Sequence, residues 1–380
     1  MKKIMIMAGE ASGDLHGANL ARELGKLEPT AAIYGVGSKH MRDAGVHMLA
    51  DASTISVVGI TEVLTHLGAI YGVYAKLKQF LREERPDVLV LIDFPDFNIM
   101  LGKAAKKLGI PIVYYISPQV WVWRKGRIKT IAGLVKAMIV VFPFEVPLYE
   151  KAGVDVRFVG HPLIDVVKSA YTGDEARRSL GLAVNKRTIA LMPGSRRGEL
   201  ANLFPDMLRA AKLLLSRYDD LQFVLPVAPT LDPALVRSYV ETGGVPVHIV
   251  AGRVYDVLQA SDAAIVASGT ATLETGLMAV PMAIVYRISA LTYYILTKLV
   301  RDLAHVGLVN IVAGQRIVPE LIQHDVTPQK IADTISGLLD DPARSLQIKE
   351  GLLKLREQLG APGASARAAS VVMEFMKGST

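Results

Sequence analysis

Two short polar turns in the second half of the chain carry residues suited to binding phosphate. The first reads Pro-Gly-Ser-Arg-Arg-Gly-Glu over residues 193–199, after the apolar run 188–192; the second reads Ser-Gly-Thr-Ala-Thr-Leu-Glu over 268–274, after the run 263–267. Each run is typical of a buried parallel strand, and each turn then opens a helix. Because the free N–H groups and positive dipole end of a helix start attract phosphate oxygens, two such turns favour a diphosphate ligand, as in a nucleotide sugar.

The side chains of these turns predict distinct contacts. Arg196 could form a bidentate fork with phosphate, and Glu274, inside the second helix, could accept the hydroxyls of a ribose. Arg287, just after a further strand, could add a cation near the phosphate or lie on a solvated surface; both remain open. The small and hydroxylic residues expected at the phosphate are Ser195, Ser268, Gly269 and Thr270.

Asp93 is the acidic residue best placed for chemistry in the first half of the chain. It ends the apolar run 88–92, where a parallel sheet presents functional groups, and a stiff Phe-Pro-Asp-Phe-Asn turn follows it. A carboxylate there could accept the proton of an attacking sugar hydroxyl. Alternatively, Asp93 or Asp96 caps the next helix, a position that Asp favours. The residues alone leave both open.

The turn after the first apolar run reads Gly-Glu-Ala-Ser-Gly-Asp over residues 9–14 and lacks the G-x-G-x-x-G spacing of a dinucleotide site. Gly9 and Gly13 allow a tight turn, and Ser12 and Asp14 can bind a sugar or cap the following helix. A plain strand-to-helix connection is the other interpretation.

Length and composition indicate a folded protein of two domains. The chain has 380 residues, of which 51% are hydrophobic and 21% charged, which is more than one ordinary core requires. The absence of cysteine excludes disulfides and thiolate metal sites. The net charge of +7 suits anionic small molecules, anionic lipid surfaces or nucleic acid. No run reaches the ~18 apolar residues of a membrane-spanning helix.

Apolar strand candidates alternate with helical patterns along the chain, which predicts an α/β fold of βαβ units. We predict two Rossmann-like, doubly wound parallel-sheet domains over residues 1–165 and 166–345, facing an interdomain cleft in which ligands bind. The segment 346–380 has helical patterning and is expected to pack back on the first domain or on a partner chain.

Two segments of the first half combine apolar or aromatic residues with basic ones. Residues 117–129 contain both tryptophans, Trp121 and Trp123, among lysines and arginines. This segment could dock on a membrane, stack on nucleic-acid bases or pack in the core. Residues 57–85 have apolar side chains at helical spacing with basic flanks, which indicates core packing and also suits a bilayer interface.

The ordered set of motifs resembles one family, the bacterial lipid-A-disaccharide synthases. The motifs span nearly the whole chain in the family's order, so the set is far more specific than any single motif. They lie at residues 9–14, 92–98, 117–124, 193–196, 267–274 and 310–314. The chain departs from the family's pattern at Val309, where a proline commonly precedes the asparagine.

The resemblance implies a two-domain glycosyltransferase of the GT-B architecture. Such an enzyme transfers 2,3-diacylglucosamine from UDP-2,3-diacylglucosamine to the 6-hydroxyl of 2,3-diacylglucosamine 1-phosphate (lipid X), in lipid A and lipopolysaccharide biosynthesis. A β-1,6 linkage formed from an α-linked donor means inversion in one displacement, with release of UDP. The alternatives are a UDP-N-acetylglucosamine 2-epimerase of the same layout and a non-catalytic nucleotide-sugar-binding protein.

The family's functional residues carry over to matching positions. Asp93 falls on the essential acidic position and would be the general base, while Arg196 falls on the essential arginine and would stabilise the departing UDP. The resemblance also places Glu274 on the ribose and Asn310 on the wall of the donor site. The residues that would face the acceptor or the transferred sugar are Glu10, Ser12, Gly13 and Asp14.

The resemblance implies no cofactor and no metal, because Arg196 and the helix starts would handle the phosphate charge. Both substrates carry acyl chains, so it favours a cytoplasmic protein that docks peripherally on the inner face of the bacterial inner membrane, through the region 57–85. Nucleic acid is not an expected partner, and a homodimer is left open.

Overall fold

The computed structural model describes residues 1–55, 60–118, 126–288 and 305–376, with the backbone alone for Ala11 and residues 60–67. The chain divides into two compact units, Met1–Pro162 with Leu359–Thr380, and Leu163–Gln358. Each unit contains one doubly wound parallel sheet, which confirms the fold class predicted from the sequence. Within the described ranges, none of the helices combines the length and apolar character that a bilayer crossing requires.

The first unit is built on a seven-stranded parallel sheet with the order β3-β2-β1-β4-β5-β6-β7. Its strands are β1 (Lys3–Ala8), β2 (Ala32–Gly37), β3 (His47–Asp51), β4 (Val88–Ile92), β5 (Ile112–Tyr115), β6 (Ala137–Val140) and β7 (Asp155–Phe158). The helices between them are α1 (Ala11–Leu27), α2 (Lys39–Asp43), α3 (Ile60–Glu84), α4 (Pro95–Lys107), α5 (Gly126–Ala132) and α6 (Val146–Glu150).

The second unit is built on a six-stranded parallel sheet with the order β10-β9-β8-β11-β12-β13. Its strands are β8 (Arg187–Met192), β9 (Leu221–Val227), β10 (Val247–Ala251), β11 (Ala263–Ala267), β12 (Met282–Tyr286) and β13 (Glu320–Ile322). Its helices are α7 (Leu163–Val166), α8 (Gly173–Ser179), α9 (Arg197–Leu215), α10 (Pro233–Gly243), α11 (Val254–Gln259), α12 (Thr270–Leu277), α13 (Leu308–Ala313), α14 (Pro328–Leu339) and α15 (Pro342–Gln358).

Each sheet reverses its winding direction once. The chain runs outward from β1 to β3 and then returns to place β4 beside β1, and β11 returns beside β8 in the same way. The paired ends are Ala8 with Ile92 in the first sheet and Met192 with Val266 near the same edge of the second. Loops diverge at such a switch point and leave a crevice at the carboxyl ends of the strands, where open α/β sheets bind ligands. All four candidate turns follow these four strands.

The burial of a strand's side chains explains whether the strand can be predicted from the sequence. Every residue of β4 is fully buried, so its apolar run is continuous. The edge strand β3 is at least partly exposed throughout, and β13 has only three residues, so neither has a clear apolar pattern and both were missed. An edge strand buries fewer side chains and therefore leaves a weaker signal.

The last helices belong to different units, so residues 346–380 are divided between the two. Helix α15 packs against α12 within the second unit, and only from Leu359 onward does the chain belong to the first. There α16 (Ala364–Glu374) packs against α1. The backbone N–H of His161 donates to Leu359 O at 2.8 Å, and the Arg367 guanidinium donates to Val159 O at 2.6 Å, which fixes this return.

Candidate active site

The Asp93 carboxylate lies at the switch point of the first sheet. It follows β4 directly, and Glu10 lies two residues beyond the neighbouring strand β1. The pKa of Asp93 is raised to about 6, chiefly by burial and also by the negative charge of Glu10, against the lowering effect of the Phe94 backbone. A carboxylate with this pKa is a stronger base than an exposed aspartate and is still mostly ionised at neutral pH.

Neither aspartate of this turn caps the next helix. Helix α4 begins at Pro95, and its N-cap residue is Phe94, with no side-chain hydrogen bond to the helix start. The carboxylate of Asp96 forms an ion pair with the guanidinium of Arg127 instead. The capping alternative for Asp93 is therefore not realised, and its carboxylate remains available for chemistry.

The backbone of the Asp93 turn is strained and held in place. Asp93 and Phe94 adopt left-handed conformations, with φ of +41° and +44°, which cost about 1–2 kcal/mol each in residues other than glycine. Two buried side chains donate hydrogen bonds to the Asp93 carbonyl oxygen: the Tyr114 hydroxyl at 2.5 Å and Asn98 Nδ2 at 2.7 Å. Asn98 also donates to Ile92 O at 3.1 Å. Strain that persists because its surroundings enforce it is typical of functional turns.

Close backbone approach explains the first glycine of the turn 9–14. A Cβ on Gly9 would lie 2.3 Å from Phe94 Cδ1, so only glycine admits the Phe94 ring beside the Asp93 turn. Gly13 packs near Ala8, where an added Cβ would lie 3.3 Å from the alanine Cβ. Ser12 is exposed, as is Glu10. The structure thus brings Glu10 near Asp93, and the sugar contacts predicted for this turn stay predictions.

Asp14 is engaged by the backbone of its own unit, and its predicted sugar contact stays a prediction. Its side chain is buried, and its carboxylate accepts hydrogen bonds from the backbone N–H groups of Ser38 at 2.6 Å, His40 at 2.9 Å and Met41 at 3.1 Å. These three amide donors hold the carboxylate at the start of α2. A buried helix-end cap and a ligand-binding acid look alike in sequence because both place Asp after a turn.

In the second unit, the first phosphate-type turn already contains an anion. Glu199 Oε2 accepts from the backbone N–H groups of Ser195 at 3.0 Å and Arg196 at 3.3 Å, while Glu199 Oε1 lies 3.6 Å from the Arg196 guanidinium. The amides expected to bind phosphate are therefore engaged by the side chain of Glu199, the third residue of α9. What this turn presents is the Arg196 side chain, 69% exposed.

The second phosphate-type turn has an open helix start. Gly269 is the N-cap of α12, with φ of +150° and no side-chain cap, and Thr270 is exposed. Ser268 Oγ donates to Val306 O at 3.1 Å, so its hydroxyl also anchors the loop before α13. Burial raises the pKa of Glu274, and its carboxylate accepts a hydrogen bond from the Tyr255 hydroxyl at 3.0 Å. Nothing in the sequence pattern singles out Tyr255.

Arg287 is paired within its own unit, and its predicted place near the phosphate stays a prediction. Its guanidinium pairs with Asp206 Oδ2 at 2.5 Å and donates to the backbone oxygens of Asn202 and Val326, tying the end of β12 to α9. The preceding residue, Tyr286, interacts electrostatically with the first turn. Burial raises the pKa of its phenol, the Glu199 charge raises that pKa further, and the Arg196 charge lowers it.

Asn310 makes a full set of hydrogen bonds within its own unit, and its predicted place at the donor site stays a prediction. It is fully buried, and its amide makes four hydrogen bonds, donating to Val318 O and Glu320 Oε1 and accepting from the N–H groups of Ile317 and Val318, all within 3.0 Å. This fills the capacity of the amide. Val309 is buried beside it. Asn310 positions the loop that Ser268 contacts.

Replacing Asn310 by alanine should therefore destabilise the second unit. The change leaves buried amides and the Glu320 carboxylate without their partner, so we expect a loss of about 2–4 kcal/mol in unfolding free energy, measured by urea denaturation. Asn202→Ala is the matched control: that side chain is exposed, and the expected change is within about 0.5 kcal/mol. A loss below about 1 kcal/mol for Asn310→Ala would contradict the structural role.

Solved structures place this fold among the GT-B glycosyltransferases and related epimerases. A UDP-N-acetylglucosamine 2-epimerase from Neisseria meningitidis, bound to UDP-GlcNAc, has a TM-score of 0.67 at 13% identity, covering 98% of this chain and 100% of that one. The glycotransferase of kitacinnamycin has a TM-score of 0.65 at 18% identity, with coverage of 98% and 99%. Identities this low establish the fold alone.

Sequence relatives establish the family. The family profile described as lipid-A-disaccharide synthetase matches residues 4–375. The lipid-A-disaccharide synthase of Geobacter metallireducens is 51% identical over 375 residues, which cover 99% of this chain and 97% of that protein. The chain therefore belongs to the lipid-A-disaccharide synthetase family, as the motifs indicated, and it is an enzyme. The motif tryptophans Trp121 and Trp123 lie outside the described residues.

Proposed function

We propose that the protein transfers 2,3-diacylglucosamine from UDP-2,3-diacylglucosamine to the 6-hydroxyl of lipid X, forming the β-1,6-linked lipid A disaccharide 1-phosphate and UDP. The observation that carries this proposal is membership of the lipid-A-disaccharide synthetase family over residues 4–375. The likeness to epimerases lies below 20% identity and concerns the fold, so it supports no second function.

The proposed chemistry is one inverting displacement. Oxygen 6 of the acceptor forms its bond to carbon 1 of the donor sugar as the bond from that carbon to UDP breaks. Asp93 accepts the proton of the acceptor hydroxyl, a task suited to a carboxylate with a pKa of about 6. The electron pair leaves on the β-phosphate of UDP. The Arg196 guanidinium and the open start of α12 stabilise that negative charge.

Turnover of the two lipid substrates tests this function. We expect purified protein in detergent, supplied with UDP-2,3-diacylglucosamine and lipid X, to release UDP and the disaccharide in equal amounts. Donor without acceptor should give neither disaccharide nor epimerised sugar. Well-folded protein that binds UDP and forms no disaccharide would overturn the proposal.

We further propose that the protein works at the cytoplasmic face of the inner membrane as a peripheral protein. Helix α3 supports this: Leu77 and Leu81 pack into the core, whereas Tyr71 is 71% exposed, and Lys76 and Arg82 are exposed on the same helix. An exposed aromatic ring on a helix that also carries basic residues suits an anionic lipid surface. A homodimer is compatible with this proposal, and light scattering of the purified protein tests it.

Vesicle flotation tests the membrane contact. Tyr71→Asp should weaken binding to vesicles of phosphatidylglycerol and phosphatidylethanolamine roughly tenfold, because a ring that would insert into the lipid surface is replaced by a negative charge. Tyr171→Asp is the control, since Tyr171 is also exposed and lies in the other unit. If both variants floated with vesicles as well as the unmodified protein, the proposal that α3 contacts the membrane would be wrong.

A further inference from the structure

The phenol of Tyr255 and the carboxylate of Glu274 form a pair at the edge of the second sheet where ligands bind. Tyr255 is the second residue of α11, which follows β10, and Glu274 is in α12, which follows β11. Both helices therefore start at the carboxyl ends of strands of one sheet. The Tyr255 hydroxyl lies 3.0 Å from Glu274 Oε1, and in the described part of the chain it is the one hydrogen-bond partner of that carboxylate.

Side-chain hydrogen bonds hold the start of α11, the helix that carries Tyr255. Asp256, the next residue, accepts from the Ser169 hydroxyl at 2.7 Å and from the Arg253 guanidinium at 2.9 Å. Arg253 also donates to the Ser179 carbonyl at 3.1 Å and to the Ser179 hydroxyl at 2.8 Å. These contacts tie α11 to the segment that leads into the second unit, so the phenol is presented from a fixed position.

The electrostatics suit the Tyr255 phenol as a fixed hydrogen-bond donor. Burial, with the Glu274 charge in addition, raises the pKa of Tyr255, so the phenol keeps its proton at any physiological pH. Burial raises the pKa of Glu274, and the Tyr255 hydrogen bond opposes that effect by stabilising the carboxylate. The hydrogen bond occupies Oε1 and leaves Oε2 as the acceptor for a ligand.

We infer that Tyr255 is a positioning residue that gives the donor site its preference for ribose over 2′-deoxyribose. By holding Oε1, it fixes one rotamer of Glu274, with Oε2 directed to the vicinal hydroxyls of a nucleoside diphosphate. A carboxylate without this partner would sample several rotamers and would lose part of its binding energy in being ordered. The inference rests on the proposed role of Glu274 at the ribose of the donor.

Calorimetric titration with UDP and 2′-deoxy-UDP tests this role. We expect Tyr255→Phe to weaken UDP binding about 5- to 10-fold, the cost of ordering one freed side chain on binding, and to change 2′-deoxy-UDP binding much less. The KM for the donor should rise by the same factor, while kcat and the KM for lipid X stay within about twofold. In a Glu274→Gln background, Tyr255→Phe should add little further loss, because the two residues act as a unit.

Tyr239→Phe is the matched control. Tyr239 is a half-buried tyrosine of α10 whose ring lies 5.9 Å from that of Phe204, away from the pair, so UDP affinity should not change. Equal UDP affinity of Tyr255→Phe and the unmodified protein, with Glu274→Gln weakened, would overturn the inference and leave the ribose role of Glu274 standing. Unmodified protein that fails to bind UDP would instead overturn the proposed function.

Discussion

Replacing Asp93 by asparagine is expected to lower kcat by about 10²–10⁴-fold while leaving UDP affinity unchanged, because the variant cannot accept the proton of the acceptor hydroxyl. Asparagine has nearly the same shape and tolerates the left-handed backbone that the turn requires. The measurement is steady-state turnover with both lipid substrates, beside a titration with UDP. Full turnover by a variant that binds donor normally would show that Asp93 is not the base.

The pH dependence of the reaction adds a second test of Asp93. Because its pKa is about 6, kcat should fall below pH 6 as the carboxylate takes up a proton. Lipid X carries a phosphate that also titrates near pH 6, so the profile alone is ambiguous. Glu10→Gln separates the two: removing that charge should move the acid limb to lower pH if Asp93 causes it, and should leave a limb caused by the substrate in place.

The same shift predicts a stability change of definite sign. In the unfolded chain Asp93 ionises near its ordinary pKa of 3.8, and in the folded protein near 6. Below about pH 3 both states hold the proton, whereas between about pH 3 and 6 the unfolded state ionises first, so folding loses stability that stays lost above pH 6. Asp93→Asn should therefore be more stable than the unmodified protein at pH 8, by on the order of 3 kcal/mol, and equally stable near pH 3. Such a variant is inactive and well folded.

The first unit shows what a sequence can and cannot predict about a site. The sequence predicts a functional role for Asp93 because this residue follows a buried strand. The residues of a strand buried on both faces are all apolar, so the strand is visible in the sequence. Its pKa depends on Glu10, which is distant in sequence and adjacent only through the pairing of β1 with β4. Its backbone depends on the Tyr114 hydroxyl, and Tyr114 reads in the sequence as one more apolar residue of a strand. Long-range partners of this kind leave no local pattern.

The second unit shows a different limit, since residues predicted at the site also hydrogen-bond within the fold. The Asn310 amide forms hydrogen bonds with nearby residues such as Glu320, and the Arg287 guanidinium forms an ion pair with Asp206. A sequence motif indicates that a residue type is required at a position. It does not distinguish a residue that binds a ligand from one that stabilises the fold. Only the count of hydrogen bonds that each buried group already makes separates the two cases. By that count Arg196 and the start of α12 remain available to a ligand.

Replacing Arg196 by glutamine is expected to lower kcat/KM for the donor by about 10²–10³-fold, the usual effect of removing one charged group that stabilises a developing anion. Stability should barely change: the side chain is 69% exposed, and its contact with Glu199 is a surface ion pair 3.6 Å long. The backbone of the turn should also persist, because Glu199 binds it through the amides of Ser195 and Arg196 and not through the guanidinium.

The neighbouring Arg197 provides the control for this variant. It is exposed, is the first residue of the same helix and carries the same charge, so Arg197→Gln changes the net charge equally one position away. If overall electrostatics attracted the donor, both variants would lose a similar amount of kcat/KM, and the loss would shrink with added salt. If Arg196 stabilises departing UDP, its variant alone should lose kcat, and guanidinium ion should restore part of the rate to Arg196→Ala and none to Arg197→Ala. Arg196→Lys should fall between, since lysine supplies the charge without the fork that holds two phosphate oxygens at once.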